Sequence, residues 1–227
     1  MQALLTTSQL AELQRLDSCS VSNAIETFKV RMRNTGFADS SIRCMFEGFP
    51  PMVGYAATAR LRSGEPPMEG RSFHDRTDWW KSILKIPAPR VVVLEDMDRR
   101  PGLGAFVGDV HAAILKALGC VGYVTNGAVR GLPAVREMGF HLFAGNIAVS
   151  HAYAHIFDIG SPIELGGMQV HPGDLLHGDR HGVLTIPHEV AAGIPAAAAK
   201  QLEKERRVIE VCRSPDFSLE RLAEAIK

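Results

Sequence analysis

The sequence predicts an α/β fold with a parallel βαβ centre followed by a β-meander. Three stretches carry the prediction. Between Val91 and Ala144, apolar segments alternate as strand, helix, strand, helix and strand, the rhythm of a parallel sheet. Val91 to Glu95 is almost wholly apolar, as a strand buried on both faces should be. From Ile163 to Pro187, short β-prone runs are joined by Gly167 and by Pro172-Gly173-Asp174, which reads as a meander on the same core.

Residues 8–33 are expected to form two helices. Leu10, Leu13 and Leu16, then Val21, Ala24, Ile25 and Phe28, recur at helical spacing, with Ser8 as N-cap and a break near Asp17 to Ser20. Tyr55 to Leu61 reads as a strand and Gly64 to Gly70 as a Pro- and Gly-rich loop. Ser72 to Ile86, with the Trp79-Trp80 pair, reads as a helix ended by Pro87 and Pro89. Gly102 to Gly108 leads into a helix over Asp109 to Leu118, which Gly119 closes in the left-handed conformation. Val121 to Thr125 is then a strand, Asn126-Gly127 a turn, Leu132 to Met138 a helix stopped by Gly139, and Phe140 to Ala144 the next strand. The tail over 190–227 is expected to be helical, and 1–227 to form one domain, since a chain of this length can bury about 70% of its unfolded surface in one core.

Composition narrows the function. Lys plus Arg and Asp plus Glu each number 25, so the formal charge is zero, and 46% of the 227 residues are hydrophobic. Without a cationic surface to neutralise phosphates, nucleic acid is not an expected partner. No apolar run reaches the roughly 18 residues of a membrane span; the longest, Val190 to Ala199, is interrupted by Gly193 and Pro195. Met1 to Leu13 lacks a basic cluster followed by an apolar core, so the expectation is a cytoplasmic protein without a secretory leader. The four cysteines, at 19, 44, 120 and 212, never approach a CxxC spacing and are expected to be reduced thiols, not zinc ligands or disulfides.

Ligands in open α/β sheets bind beyond the carboxyl ends of parallel strands, and two such ends carry polar residues here. At Gly108-Asp109 a glycine lets a ligand approach the backbone, and the amides of Asp109, Val110 and His111 at a helix start can hold a carboxylate. Arg130 follows an apolar strand and turn, so its guanidinium would face the same crevice and could clamp a carboxylate through two hydrogen bonds. The alternative is that Asp109 only caps its helix and Arg130 pairs with a nearby Glu. Histidines form further candidates. His151 and His155, four apart, would share a helix face with Asp158 nearby, a geometry compatible with a metal. His177, Asp179 and His181 alternate and would share a strand face, although Gly178 and Gly182 favour a bulge or turn. A methyltransferase is excluded, because no strand is followed by a Gly-rich loop with the downstream acidic residue that a nucleotide-type cofactor requires.

The run Gly108-Asp109 followed, after sixteen intervening residues, by Asn126-Gly-Ala-Val-Arg130 resembles the RraA-like family, which includes 4-hydroxy-4-methyl-2-oxoglutarate aldolases and the regulator of ribonuclease E. The resemblance extends to VREMGF at Val135 to Phe140, LFAGN at Leu142 to Asn146, GGMQVHPGDLLHGDRHGVLTIP at Gly166 to Pro187 and CSVSNAIE at Cys19 to Glu26. It implies a compact α/β domain related to swivelling phosphohistidine domains, assembled as a homotrimer or hexamer with the site between subunits. It further implies a carbon–carbon lyase acting on a small 2-keto acid, by aldol cleavage or oxaloacetate-type decarboxylation with a divalent metal, Mg²⁺ or Mn²⁺, as Lewis acid.

By the same resemblance Gly108, Val110 and His111 would bind the pyruvyl carboxylate, Asp109 a metal-bound water, and Arg130 the keto-acid end. A Glu from a neighbour's C-terminal helix would complete the site, with Glu203 and Glu205 as candidates. One departure bears on the metal. The family's aldolases follow the Arg with an Asp that is the direct protein ligand, whereas Gly131 stands there in this chain. Asp109 with His111 is then the candidate replacement pair, suited to Mn²⁺, Zn²⁺ or Fe²⁺. The other reading is a non-catalytic trimeric binding or regulatory protein that keeps the carboxylate pocket.

Overall fold

The computed structural model describes residues 4–67 and 76–227. Two helices open it, α1 (Thr7–Leu13) and α2 (Ser18–Phe28). The cap of α1 is Thr6, not Ser8. Its side chain accepts from the Gln9 amide while Gln9 returns a bond to the Thr6 amide, a reciprocal box that Ser8 has no partner to form. Asp17 caps α2 by accepting from the Ser20 amide.

The chain then runs through β1 (Arg43–Cys44), β2 (Met52–Arg62), α3 (Arg76–Leu84), β3 (Arg90–Asp96), β4 (Ala105–Val107), α4 (Asp109–Ala117), β5 (Cys120–Val129), α5 (Leu132–Glu137) and β6 (His141–Ile147). The expected loop over Gly64 to Gly70 and helix from Ser72 lie in part outside the described residues. Next come β7 (His155–Ile159), β8 (Ile163–Leu165), β9 (Met168–Val170), β10 (Leu175–Asp179) and β11 (Gly182–Ile186). The short α6 (His188–Ala191), the long α7 (Ile194–Arg213) and α8 (Leu219–Ile226) end the chain. None of the described helices is long and apolar enough to cross a membrane.

The sheet order is β1-β6-β5-β3-β2-β10-β11, with β4 added to the end of β5 and β7 to the end of β2. β2, β3, β5 and β6 are mutually parallel, as the alternating pattern predicts, and α3, α4 and α5 cover one face. There Ala57, Ala59, Val92, Leu94, Tyr123 and Leu142 pack against Trp79, Ile83, Leu115 and Val135. The other face, Ala56, Val91, Val93, Val124 and Phe143, packs against Ile163, Leu165, Met168 and Val170. Residues of both parities are therefore buried, which is why these strands read as unbroken apolar runs. α1, α2 and α7 close a third cluster over Val53, Tyr55, Leu175, Leu184 and Ile186.

Two more expectations are corrected. Asn126-Gly127 is not a turn, because β5 continues through it to Val129. The Asn126 side chain accepts from the Asp96 amide at 2.7 Å and donates to the Asp96 carbonyl at 3.1 Å, replacing the ladder bonds to β3. The register slips between Thr125 and Ala128, and Ala128 goes on to pair with Ala105 of β4. Nor is 163–187 one meander. β8 and β9 form their own two-stranded sheet, and β10 leaves them to pair antiparallel with β2. Gly166 and Gly167, at φ +53° and +74°, make the β8–β9 turn.

Candidate functional site

The carboxyl ends of β4, β5 and β6 lie side by side, and each delivers a different piece of one cleft. β4 runs into Gly108 and the start of α4. The first helical bond of α4 is donated by Ala112 to the Gly108 carbonyl, and Gly108 brings no side chain to cap the turn, so the positive end of the helix opens outward. Arg130 leaves the end of β5 and lays its stem across Gly108. A Cβ at 108 would sit 3.1 Å from Arg130 Cγ and 3.3 Å from Nε, so glycine is what allows this approach. The segment after β6 is tied back by Ala148 N to Val129 O at 3.1 Å and by Ala105 N to Ser150 O at 3.0 Å, which brings His151 and Ala154 to the opposite wall.

The result is a cleft of about 260 Å³ lined by Ala105, Phe106, Gly108, Asp109, Val110, His111, Arg130, His151 and Ala154. All five residues expected to form a carboxylate site are brought together. The bland alternatives for the two charged ones do not hold: Asp109 is the first helical residue and provides no cap, and Arg130 forms no ion pair among the described residues. Among the described residues the Arg130 side chain makes one hydrogen bond, from Nη1 to the Val149 carbonyl at 3.2 Å, leaving the rest of its planar fork of donors for a ligand. The His111 ring lies against Phe106, with centroids 4.9 Å apart.

A resident divalent ion does not fit this donor set. Gly131 contributes no ligand, and its φ of +65° makes it the left-handed cap of α5. Asp109 and His111 are two apart on a helix and so leave it in different directions. Among the described residues no group of three His, Cys, Asp or Glu comes together to hold a metal. Glu203 and Glu205 lie on α7 and do not line the cleft of their own chain. Glu203 pairs with Arg206 at 2.8 Å, and Glu205 accepts from Asn23 at 3.3 Å and Gln201 at 3.1 Å.

The remaining histidine clusters are not metal sites either. His151 lies in a turn and His155 begins β7, so they share no helix face, and Asp158 pairs with Arg60 at 2.9 Å. His155 Nδ1 donates to the Tyr153 carbonyl at 2.7 Å. His177 and Asp179 are buried on β10, while His181 sits in the β10–β11 turn. His177 Nε2 reaches the carbonyls of Leu13 (3.2 Å) and Leu16 (3.0 Å), so it carries the proton and Nδ1 accepts from Ser18 Oγ at 3.1 Å. Asp179 accepts from the amides of Ser18 and His181, both at 2.8 Å, and these bonds hold its carboxyl below the ordinary range against burial. Burial pushes His177 down as well. This cluster pins the α1–α2 junction to the sheet.

His151 also lines the cleft, a position that its spacing from His155 does not indicate. The signal in the sequence is that it follows the carboxyl end of a parallel strand, where ligands collect.

Residues 18–185 match the family model described as RraA-like, Aldolase/RraA. A protein of Halalkalibacterium halodurans named "Putative 4-hydroxy-4-methyl-2-oxoglutarate aldolase" is 34% identical over 161 residues, 69% of this chain and 70% of that one. Two crystal structures share the fold. An uncharacterized protein from Pseudomonas syringae pv. tomato aligns with a TM-score of 0.74 at 23% identity, covering 99% of this chain and 95% of its own. Streptomyces coelicolor RraAS2, described as an unusual member of the RNase ES inhibitor RraA protein family, aligns at 0.68 and 22% identity, covering 91% and 100%.

Proposed function

Because this chain belongs to the RraA-like family, we propose that it is a carbon–carbon lyase for a small 2-keto acid, with its site at the mouth of α4. The observation that carries the reading is the convergence of Arg130 with the start of α4 across one cleft of about 260 Å³. A helix N-terminus and a guanidinium fork both favour an anion, and together they match the carboxylate and adjacent carbonyl oxygen of a 2-keto acid. The Halalkalibacterium relative's name supports the reaction class.

In decarboxylation of an oxaloacetate-type acid, the C3–C4 bond breaks and carbon dioxide leaves. The electron pair passes to C2 and its oxygen as an enolate, and a proton returned to C3 yields pyruvate. In aldol cleavage the C4 hydroxyl gives up its proton as the same bond breaks and C4 departs as a carbonyl. Both routes build negative charge on the C2 oxygen, where Arg130 and the α4 amides of Val110 and His111 act as preorganised donors. Asp109, His111 and His151 line the cleft and are the titratable groups available to carry the proton. A divalent ion would supply Lewis-acid polarisation, but with Gly131 in place of a ligand no step is assigned to it. The cleft is open on the side of Val110, which is 65% exposed, and the assembly that closes it is a homotrimer or hexamer; a 24.7 kDa monomer in light scattering would overturn that part.

The test is release of pyruvate from oxaloacetate and from a 4-hydroxy-2-oxo acid, with EDTA and with Mg²⁺, alongside calorimetric binding of oxalate. Turnover by the wild-type chain that EDTA leaves intact is the expected result. The specific observation behind the second reading, a binding protein without catalysis, is Gly131 itself. Oxalate binding without turnover would select that reading, and absence of both would remove the cleft from consideration.

A further inference from the structure

A second hollow borders the cleft on the other side of Arg130 and Asp109. It is larger, about 620 Å³, shares Asp109 and Arg130 with the cleft and is otherwise walled by Leu132, Pro133, Ala134, Ile147, Ala148 and Val149, with Gly131 at the junction. A Cβ at Gly131 would stand 3.2 Å from the Asp109 amide and 3.6 Å from its carboxylate oxygen, so glycine keeps the space beside Asp109 open. Past the two shared groups the wall carries no charge. We infer that this hollow takes the distal group of the substrate and that the group is apolar: the ligand is a 2-keto acid with an aliphatic or aromatic side chain, not one bearing a second carboxylate.

The inference rests on the keto-acid reading above, which commits Arg130 to the head of the ligand. A second carboxylate in the hollow would then find no cation in the lining and would lie near Asp109, a like charge. An aliphatic group instead leaves water for the surfaces of Leu132 and Ile147, and each buried methylene is worth roughly a fourfold gain in affinity. The two spaces share the same two side chains in their walls, so a ligand whose head sits at α4 has this hollow as its neighbouring space. This sets the chain apart from the dicarboxylate in the Halalkalibacterium relative's name.

Calorimetry on the full-length protein tests it with four probes: oxalate, pyruvate, 4-methyl-2-oxopentanoate and 2-oxoglutarate. The expected result is that oxalate binds and that 4-methyl-2-oxopentanoate binds about tenfold or more tighter than either pyruvate or 2-oxoglutarate. Ile147→Lys should reverse the order in favour of 2-oxoglutarate; Ile147 is 56% exposed at the end of β6, so the fold tolerates the change. If oxalate binds but the branched acid gains nothing over 2-oxoglutarate, the inference is overturned and the keto-acid reading stands. If oxalate also fails to bind, the keto-acid reading itself has failed and carries the inference with it. If Ile147→Lys disperses the assembly in light scattering without altering the order of the ligands, a second copy of the chain covers the hollow and the inference falls.

Discussion

The Ser18, His177 and Asp179 cluster and the Asp109, His111 and Arg130 cleft are built from similar residue types and differ in how their polar atoms are satisfied. In the cluster, both His177 ring nitrogens, the Ser18 hydroxyl and both Asp179 oxygens have partners within the chain. In the cleft, the Asp109 carboxylate accepts no hydrogen bond among the described residues, and Arg130 spends one donor on a carbonyl. A histidine beside an aspartate therefore says little about function. What marks a site is charge left without an internal partner on a concave surface, because the fold gains nothing from it.

The comparison is broken most readily at His177. His177→Ala removes the ring from a fully buried position and strands the Ser18 hydroxyl and the carbonyls of Leu13 and Leu16, so unfolding in denaturant should show a loss of about 3–5 kcal/mol. Oxalate affinity should not change in the folded fraction. An altered affinity would mean that the two regions are coupled.

Acid should act on the buried histidines next. Burial lowers His141 to about 4 from the ordinary 6.5, and lowers His177 in the same direction. The unfolded chain therefore takes up protons before the folded one does. Stability is fully present above pH 6.5 and declines as the pH falls through that value towards about 4. At about 1.36 kcal/mol per pKa unit, His141 accounts for on the order of 3 kcal/mol across this window. Denaturation curves at pH 7.5 and 4.5 measure the slope, and His141→Gln should flatten it; a slope unaffected by that change would refute the assignment.

At the cleft the effect should appear in binding and not in stability. Arg130→Ala is expected to weaken oxalate or pyruvate by at least about tenfold, roughly 1.4 kcal/mol or more, with a melting temperature close to wild type. Arg130→Lys should recover only part, since an ammonium cannot make the paired contact. Unchanged affinity would put the carboxylate elsewhere.

The smallest expected effect is the most specific. Gly131→Asp must adopt φ near +65°, a conformation that costs an L-residue about 1 kcal/mol, and its carboxylate would lie near that of Asp109. Two neighbouring carboxylates repel one another until a cation joins them. The variant should be slightly destabilised in EDTA, regain that loss in millimolar Mg²⁺, and gain Mg²⁺-dependent oxaloacetate decarboxylation. Thermal melts with and without Mg²⁺ that coincide would show that position 131 cannot host a ligand.

Much of the parallel centre was legible in the sequence because its information is local. The apolar runs of β3 and β5, the period of α4 and the glycines at 119 and 139, at φ +76° and +66°, each act within a few residues. The pairing of Gly108-Asp109 with Arg130 was legible through the family resemblance together with the rule that parallel strands end at one edge. Neither alone placed His151 on the opposite wall.

Tertiary structure decided the rest through bonds between residues far apart in sequence. Asn126 stays in β5 because its amide binds Asp96, thirty residues earlier, a partner that turn propensity cannot see. His177 became a core group because Ser18, 159 residues away, meets it in the interior. The hollow beside the cleft exists because α5 and the end of β6, adjacent in space, both present apolar side chains around a glycine. Sequence by itself determined the periodic elements and the residue types at their ends. Only the fold decided which polar groups would satisfy one another and which would remain for a ligand, because that depends on distances between segments that no local pattern encodes.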